Sequence, residues 1–204
     1  PELEQIIDLI LTNDGVFSLS SIRPEGLSGF MIQALARTGQ KTATLAPEAA
    51  SRRLKEIIGK RIAPELFYSR IEELVDAGIP NIRLYFMIGL PGETDDDVRE
   101  IVEFALECRK VFVDASRKAG RIGMLSVQVN PFIPKPWTPF QWAAVTQRNT
   151  LEGRINILRN GLKKISNMSL RIEYGRDFFI QALLSRCDRA LGQKILNIDP
   201  KGKW

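Results

Sequence analysis

The sequence predicts an α/β fold: a partial (β/α) TIM-type barrel of about five parallel strands with helices outside. Three observations lead there. Short apolar runs alternate with amphipathic helical stripes along the whole chain, as repeated strand–helix units and right-handed crossovers require. No Gly-x-Gly-x-x-Gly follows any of the expected strands, which disfavours a doubly wound dinucleotide-binding sheet. At 204 residues the chain suits one domain with a sizeable core.

The elements follow in order. Residues 3–11 read as a helix, 16–22 as a strand and 29–38 as a second helix. A short strand over 42–45 precedes a helix over 50–58. Leu66, Phe67, Ile71, Leu74 and Val75 form a helical stripe closed by Gly78. The run 82–88 is too short for a full helix and rich in branched and aromatic residues, so it reads as a buried strand. Thr94 is placed to cap the next helix, with Asp95, Asp96 and Asp97 in the first turn, where carboxylates favour the helix dipole. Val98, Ile101, Val102, Ala105 and Phe112 continue that helix, and 124–129 is the following strand. Thr138-Pro139-Phe140-Gln141 has the form of a capping box with proline at the first helical position, so a helix is expected from there. Leu151, Ile155, Leu158, Leu162 and Ile165 recur at helical spacing. Residues 170–174 alternate as a strand, Phe179, Leu183 and Cys187 mark the last helix, and the basic end over 200–204 is expected to fray.

Composition removes several function classes. Histidine is absent, so there is no Ser-His triad and no histidine metal ligand. The chain has only two cysteines, Cys108 and Cys187, too few and too far apart for a thiolate site built by this chain alone. Both fall on apolar helical stripes and are expected in the core, as small hydrophobes. The formal charge of +5 is scattered rather than gathered into a basic, aromatic-interleaved patch, which makes nucleic-acid binding an unfavoured reading. No apolar run reaches the ~20 residues of a membrane span, and the acidic first residues do not resemble a signal peptide. A cytoplasmic protein is expected.

In a parallel barrel, function sits on the loops after the strands' carboxyl ends. Four such loops are chemically distinctive: Ser20-Ser21-Ile22-Arg23-Pro24, Ala46-Pro47-Glu48-Ala49-Ala50-Ser51, Ile88-Gly89-Leu90-Pro91-Gly92-Glu93-Thr94, and the proline-rich stretch from Asn130-Pro131 to Trp142. From the residues alone, three of them support two readings each. Gly89 and Gly92 suit close approach of a flat ligand or a tight strand-to-helix turn. Glu48 suits a ligand amine or hydroxyl, or the dipole of the next helix. Phe132, Trp137, Phe140 and Trp142 suit a stacking wall or lid, or a packed crossover over the barrel mouth.

Together these loops resemble the motifs of the radical S-adenosylmethionine (radical SAM) superfamily. Residues 88–94 are similar to its fifth-strand motif, and 46–54, running on to Gly59-Lys60, to its fourth-strand signature. The proline-rich stretch and Ser185-Arg186-Cys187-Asp188-Arg189 resemble a subgroup with a cobalamin-binding-like domain ahead of the barrel. That subgroup usually has histidine at Trp137, glycine at Cys187 and arginine at Ala190. The family's Cys-x-x-x-Cys-x-x-Cys loop and Gly-Gly-Glu motif do not occur here.

The resemblance implies that residues 1–195 are the carboxyl-side part of such a barrel, with 196–204 a tail, and that the missing loops precede Pro1. It implies a full-length enzyme using S-adenosylmethionine and a [4Fe–4S] cluster, with cobalamin available through an upstream domain, and a segment inactive alone. It places Ser21 and Glu48 at the ribose or methionine part of the cofactor and Lys60 at its carboxylate, with Arg61 as second choice. Gly89, Leu90, Pro91 and Gly92 would border the adenine, completed by Asn130 and Pro131. A flavodoxin or ferredoxin would supply electrons, and the open sheet edge would favour a homodimer. A methylthiotransferase-like radical enzyme acting on RNA or a ribosomal protein, and a scaffold that has lost its cluster, are the alternatives.

Overall fold

The computed structural model describes residues 2–196. Of the expected tail, 197–204 lie outside the described residues, as does the fraying expected over 200–204. Four strands, β1 (Thr42–Glu48), β2 (Asn81–Ile88), β3 (Leu125–Pro131) and β4 (Met168–Ile172), form one parallel sheet in chain order. Helices α1 (Glu2–Thr12) and α2 (Gly29–Arg37) precede it. Between β1 and β2 lie α3 (Arg52–Ile57) and α4 (Pro64–Asp76), then α5 (Asp95–Lys118) and α6 (Arg148–Gly161) make the next two crossovers. Helices α7 (Arg176–Leu184) and α8 (Arg189–Leu196) follow β4.

Consecutive strand order with one crossover hand brings the helices to one side. That outer side is the core: Ala43, Leu45, Ile82, Leu84, Phe86, Ile88, Leu125, Val127 and Val129 are buried with Phe67, Ile71, Leu74, Val98, Ile101 and Phe112 of the helices. Phe104 of α5 joins the layers, edge-on to Phe67 at 5.5 Å and to Phe86 at 6.0 Å. The expected caps form. Thr94 and Asp97 make a reciprocal capping box on α5, and Gly78, at φ +108°, follows the last turn of α4.

Four expectations change. The 16–22 segment is not a strand; it meets the sheet at a single bridge, Ile22 to Leu45, with the Ile22 N–H donating to Thr44 O at 3.0 Å. No helix begins at Thr138. Its hydroxyl turns back to donate to Lys135 O at 2.7 Å, the Gln141 N–H goes to the Thr138 carbonyl at 3.0 Å instead of to the hydroxyl, and the segment runs through turns and loop until α6. The 82–88 strand is not buried on both faces, because Arg83, Tyr85 and Met87 point away from the helices. Cys187 lies beyond the end of α7 and is exposed, its thiol donating to Leu184 O. α7 instead turns Phe178 and Ala182 inward, leaving Leu183 exposed. Cys108 is fully buried, as expected, and burial pushes its thiol far up. Among the described residues no helix is long and apolar enough to cross a membrane.

Candidate functional site

The face of the sheet opposite the helices is polar. The parallel register sets it in rows: Thr44, Arg83, Ser126 and Ser169 in one, Tyr85, Gln128 and Arg171 in the next. Residues alternating along a strand point to opposite faces, so the sequence that makes the core on one side makes this polar wall on the other. Toward the strands' carboxyl ends the wall opens into a cleft of about 590 Å³, bordered by Ser21, Glu48, Arg83, Tyr85, Asn130 and Pro131 among others. A second cleft of about 400 Å³ shares Glu48, Met87 and Phe132 with it and adds Lys60, Arg61 and Leu90.

Glu48 ends β1 with φ +68°, a left-handed backbone that costs a non-glycine residue about 1–2 kcal/mol. The Lys60 ammonium lies 3.4 Å from its Oε1 and donates to Ala46 O. Lys60 thus spans the bend of the strand end, half-buried like its partner. Two residues twelve apart in sequence meet here because α3 is short and turns back through Gly59, at φ +70°.

The loop after β2 is organised differently. Gly89 is at φ +80°, and a Cβ there would come within 3.0 Å of Leu151 and 3.1 Å of Thr146. Its N–H donates to Glu93 Oε2 at 2.5 Å, and its carbonyl accepts from Thr146 Oγ1 at 3.0 Å. Glu93 is buried and paired with Arg154 of α6, whose Nη1 is 2.7 Å from Oε2 and whose Nη2 donates to the Glu93 carbonyl. Burial pushes the Glu93 carboxyl up to about 7, against the Gly89 N–H and the Arg154 guanidinium, which favour the carboxylate. The missing side chain at Gly89 therefore makes room for Thr146 and Leu151 of this chain. A ligand bordering this residue would meet backbone.

The two loops are clipped together. Ser51, which caps α3, donates to Asp97 Oδ1 at 2.6 Å, and Arg53 bonds both Asp97 and Gly92 O. Burial alone would raise the Asp97 carboxyl, but bonds from Ser51, Thr94 and Arg53 hold it below the usual range. Ala49, Leu54 and Leu90 form a small apolar cluster between the loops, with Met87 and Phe132 against it.

Of the residues expected at a cofactor, Ser21, Glu48, Asn130 and Pro131 border the larger cleft, and Lys60 and Leu90 the smaller. Gly89, Pro91 and Gly92 border neither. The proline-rich stretch contributes Phe132 and Phe140, edge-to-face at 5.9 Å, while Trp137 and Trp142 stand out in solvent, 95% and 83% exposed, and build no wall. Arg83, Tyr85, Gln128 and Arg154 were not singled out by sequence. The first three carried a signal, the alternation of their strands; Arg154 carried none.

A model of the radical SAM superfamily matches residues 1–105. An uncharacterized protein of Methanocaldococcus jannaschii is 32% identical over 178 residues, covering 86% of this chain and 36% of its own. Coproporphyrinogen III oxidase from Escherichia coli, a radical SAM enzyme, superposes with a TM-score of 0.51 at 15% identity, over 78% of this chain and 37% of its own. The chain spans about a third of the length of either protein.

Proposed function

Because this chain belongs to the radical SAM superfamily, we propose that it forms the carboxyl-side part of a barrel whose full-length protein binds S-adenosylmethionine across the two joined clefts. The observation that supports this reading is the meeting of Glu48 with Lys60 at the rim, between the two clefts. These groups fit the cofactor. Glu48 Oε1 faces Lys60, so Oε2 remains for a hydroxyl or amine, and the Lys60 ammonium serves a carboxylate. Leu90 and Phe132 supply apolar surface between them. When bound beside a reduced iron–sulfur cluster, S-adenosylmethionine supplies a 5′-deoxyadenosyl radical. This chain's part is to hold its polar ends, exclude water and present the substrate.

The described residues do not fit the cluster. Its three thiolates need three cysteines, whereas Cys108 is sealed in the core and Cys187 lies exposed elsewhere. Among the described residues no three potential ligands of the His, Cys, Asp or Glu type gather. We place the cluster ligands, and any cobalamin domain, on other parts of the full-length protein. A flavodoxin or ferredoxin donor and a homodimer through the β1 edge belong to the same reading.

Isothermal titration of the cluster-loaded full-length protein tests it. Glu48→Ala and Lys60→Ala should each weaken S-adenosylmethionine binding by about 1–3 kcal/mol. Equal affinity in both variants would sink the assignment, and no binding by the unaltered protein would favour a scaffold that has lost its cluster.

A further inference from the structure

The polar wall holds more recognition capacity than the cofactor reading uses. Arg83 stands on β2 at its centre, and among the described residues no carboxylate lies within ion-pair distance of it. Lys135, on the same cleft, has no carboxylate partner among the described residues either, whereas Glu48 has its charge answered by Lys60. The cleft therefore has positive charge in excess.

Beside Arg83 on the same face is Tyr85. Its hydroxyl oxygen receives N–H bonds from Gln128 Nε2 at 3.1 Å and Asn130 Nδ2 at 3.0 Å. Gln128 is fixed in that orientation, because the same nitrogen donates to Glu173 Oε1 at 2.8 Å. A phenol oxygen that already accepts twice has only its proton left to give. As placed, Asn130 Oδ1 is buried without a partner; turning the amide over lets Tyr85 donate to that oxygen and puts the Asn130 NH₂ in its place, unspent. Either way one donor at this place has no acceptor among the described residues.

We propose that the substrate of this barrel carries an anionic oxygen group, a carboxylate or a phosphate, bound by Arg83 and by the Tyr85–Asn130 pair. The assignment rests on the radical SAM reading for calling the bound molecule a substrate. The anion site itself does not depend on it. A guanidinium beside a neutral donor matches an oxyanion, which accepts at several lone pairs and gains from the charge. The wall lies below the rim where Glu48 and Lys60 meet, so an anchored substrate would extend toward the cofactor.

The test uses the full-length protein without cluster, in ~0.15 M salt to screen surface charge, with inorganic phosphate and succinate as separate probes observed by NMR. At least one should bind at a single site, and which one does names the group. Arg83→Gln should weaken it about tenfold or more and Tyr85→Phe a few-fold, as expected for a charged and a neutral hydrogen bond. Arg83 is exposed, and an unchanged urea midpoint of the Arg83→Gln variant would show that the fold persists. Binding of neither probe, or equal binding by Arg83→Gln, overturns the proposal, as it would if a carboxylate from outside the described residues occupied Arg83. Failure of S-adenosylmethionine to bind the unaltered protein, with Arg83-dependent anion binding intact, would instead overturn the parent reading alone.

Discussion

The loops after β1 and β2 leave the same rim of one sheet and are clipped to each other through Asp97, yet they spend their polar groups in opposite ways. The β1 loop turns Glu48 toward open clefts at the cost of a left-handed backbone, and gives it a partner, Lys60, that remains half-buried. The β2 loop closes on itself: Glu93 Oε2 takes both the Gly89 N–H and the Arg154 guanidinium in the interior, while Oε1 is buried without a hydrogen bond among the described residues. Both loops carry family motifs, but a motif conserves a shape as readily as a contact. The β1 loop is positioned to touch a ligand. The β2 loop is the frame that keeps the rim in place, and apart from the apolar side chain of Leu90 it offers a ligand backbone.

The sharpest way to break that contrast is to unpair Glu93. Arg154→Ala leaves a buried carboxylate without its cation and should destabilise the protein by about 3–5 kcal/mol in urea unfolding. Replacing the pair together, Glu93→Gln with Arg154→Met, should return most of that loss, since both desolvation costs disappear. A loss below 1 kcal/mol in Arg154→Ala would mean the frame is held elsewhere.

The same carboxyl predicts a pH dependence. Its value is raised from 4.5 to about 7 by burial. Below 4.5 it is protonated whether the chain is folded or not, and above 7 it is ionised in both. Between them the folded chain keeps a proton the unfolded chain has released, so stability falls as pH rises through this window, by on the order of 3 kcal/mol. Glu93→Gln should flatten that slope, and Arg154→Gln should extend it above pH 7. Stability that rises from pH 4.5 to 7 in the unaltered protein, and keeps doing so in Glu93→Gln, would contradict the assignment.

Glycines compare the loops at a smaller scale. Gly89→Ala combines a left-handed backbone with contacts at 3.0 and 3.1 Å, while Gly59→Ala has the backbone term with nothing within 4 Å. The first should cost about 2–3 kcal/mol and the second about 1. Equal costs would show that Thr146 and Leu151 yield freely.

How much of this was legible in the sequence follows from distance along the chain. The α5 cap was, because Thr94 and Asp97 are three residues apart and their chemistry is local. The parallel sheet was, because each strand–helix unit declares its own period. The polar wall was written in the alternation of Arg83, Tyr85 and Met87 with Ile82, Leu84, Phe86 and Ile88, but a mostly apolar run conceals a period of two. Thr138 misled because a capping pattern does not say whether the N–H three residues on goes to the hydroxyl or, as with Gln141, to the carbonyl of a turn. Cys187 misled because a helical stripe does not mark where its helix stops. Arg154 was out of reach: its partner lies 61 residues away, and nothing local distinguishes it from a surface arginine.

The smallest effect separates stability from binding at the β1 loop. Glu48 holds φ +68°, and glycine occupies that region without the penalty a Cβ brings, so Glu48→Gly removes strain while it removes the carboxylate. Against that gain stand the loss of a partly exposed ion pair with Lys60, worth at most about 1 kcal/mol, and the greater entropy of glycine in the unfolded chain. The terms nearly cancel, and unfolding stability should change by less than about 1 kcal/mol in either direction. Glu48→Ala keeps the strain and loses the pair, so it should be the less stable of the two. Both should lose S-adenosylmethionine affinity equally, because both lack the carboxylate. Urea midpoints and titrations on the same two variants check this. If Glu48→Gly retained affinity that Glu48→Ala had lost, the backbone bend rather than the carboxylate would be the contact, and the β1 loop would be a frame like its neighbour.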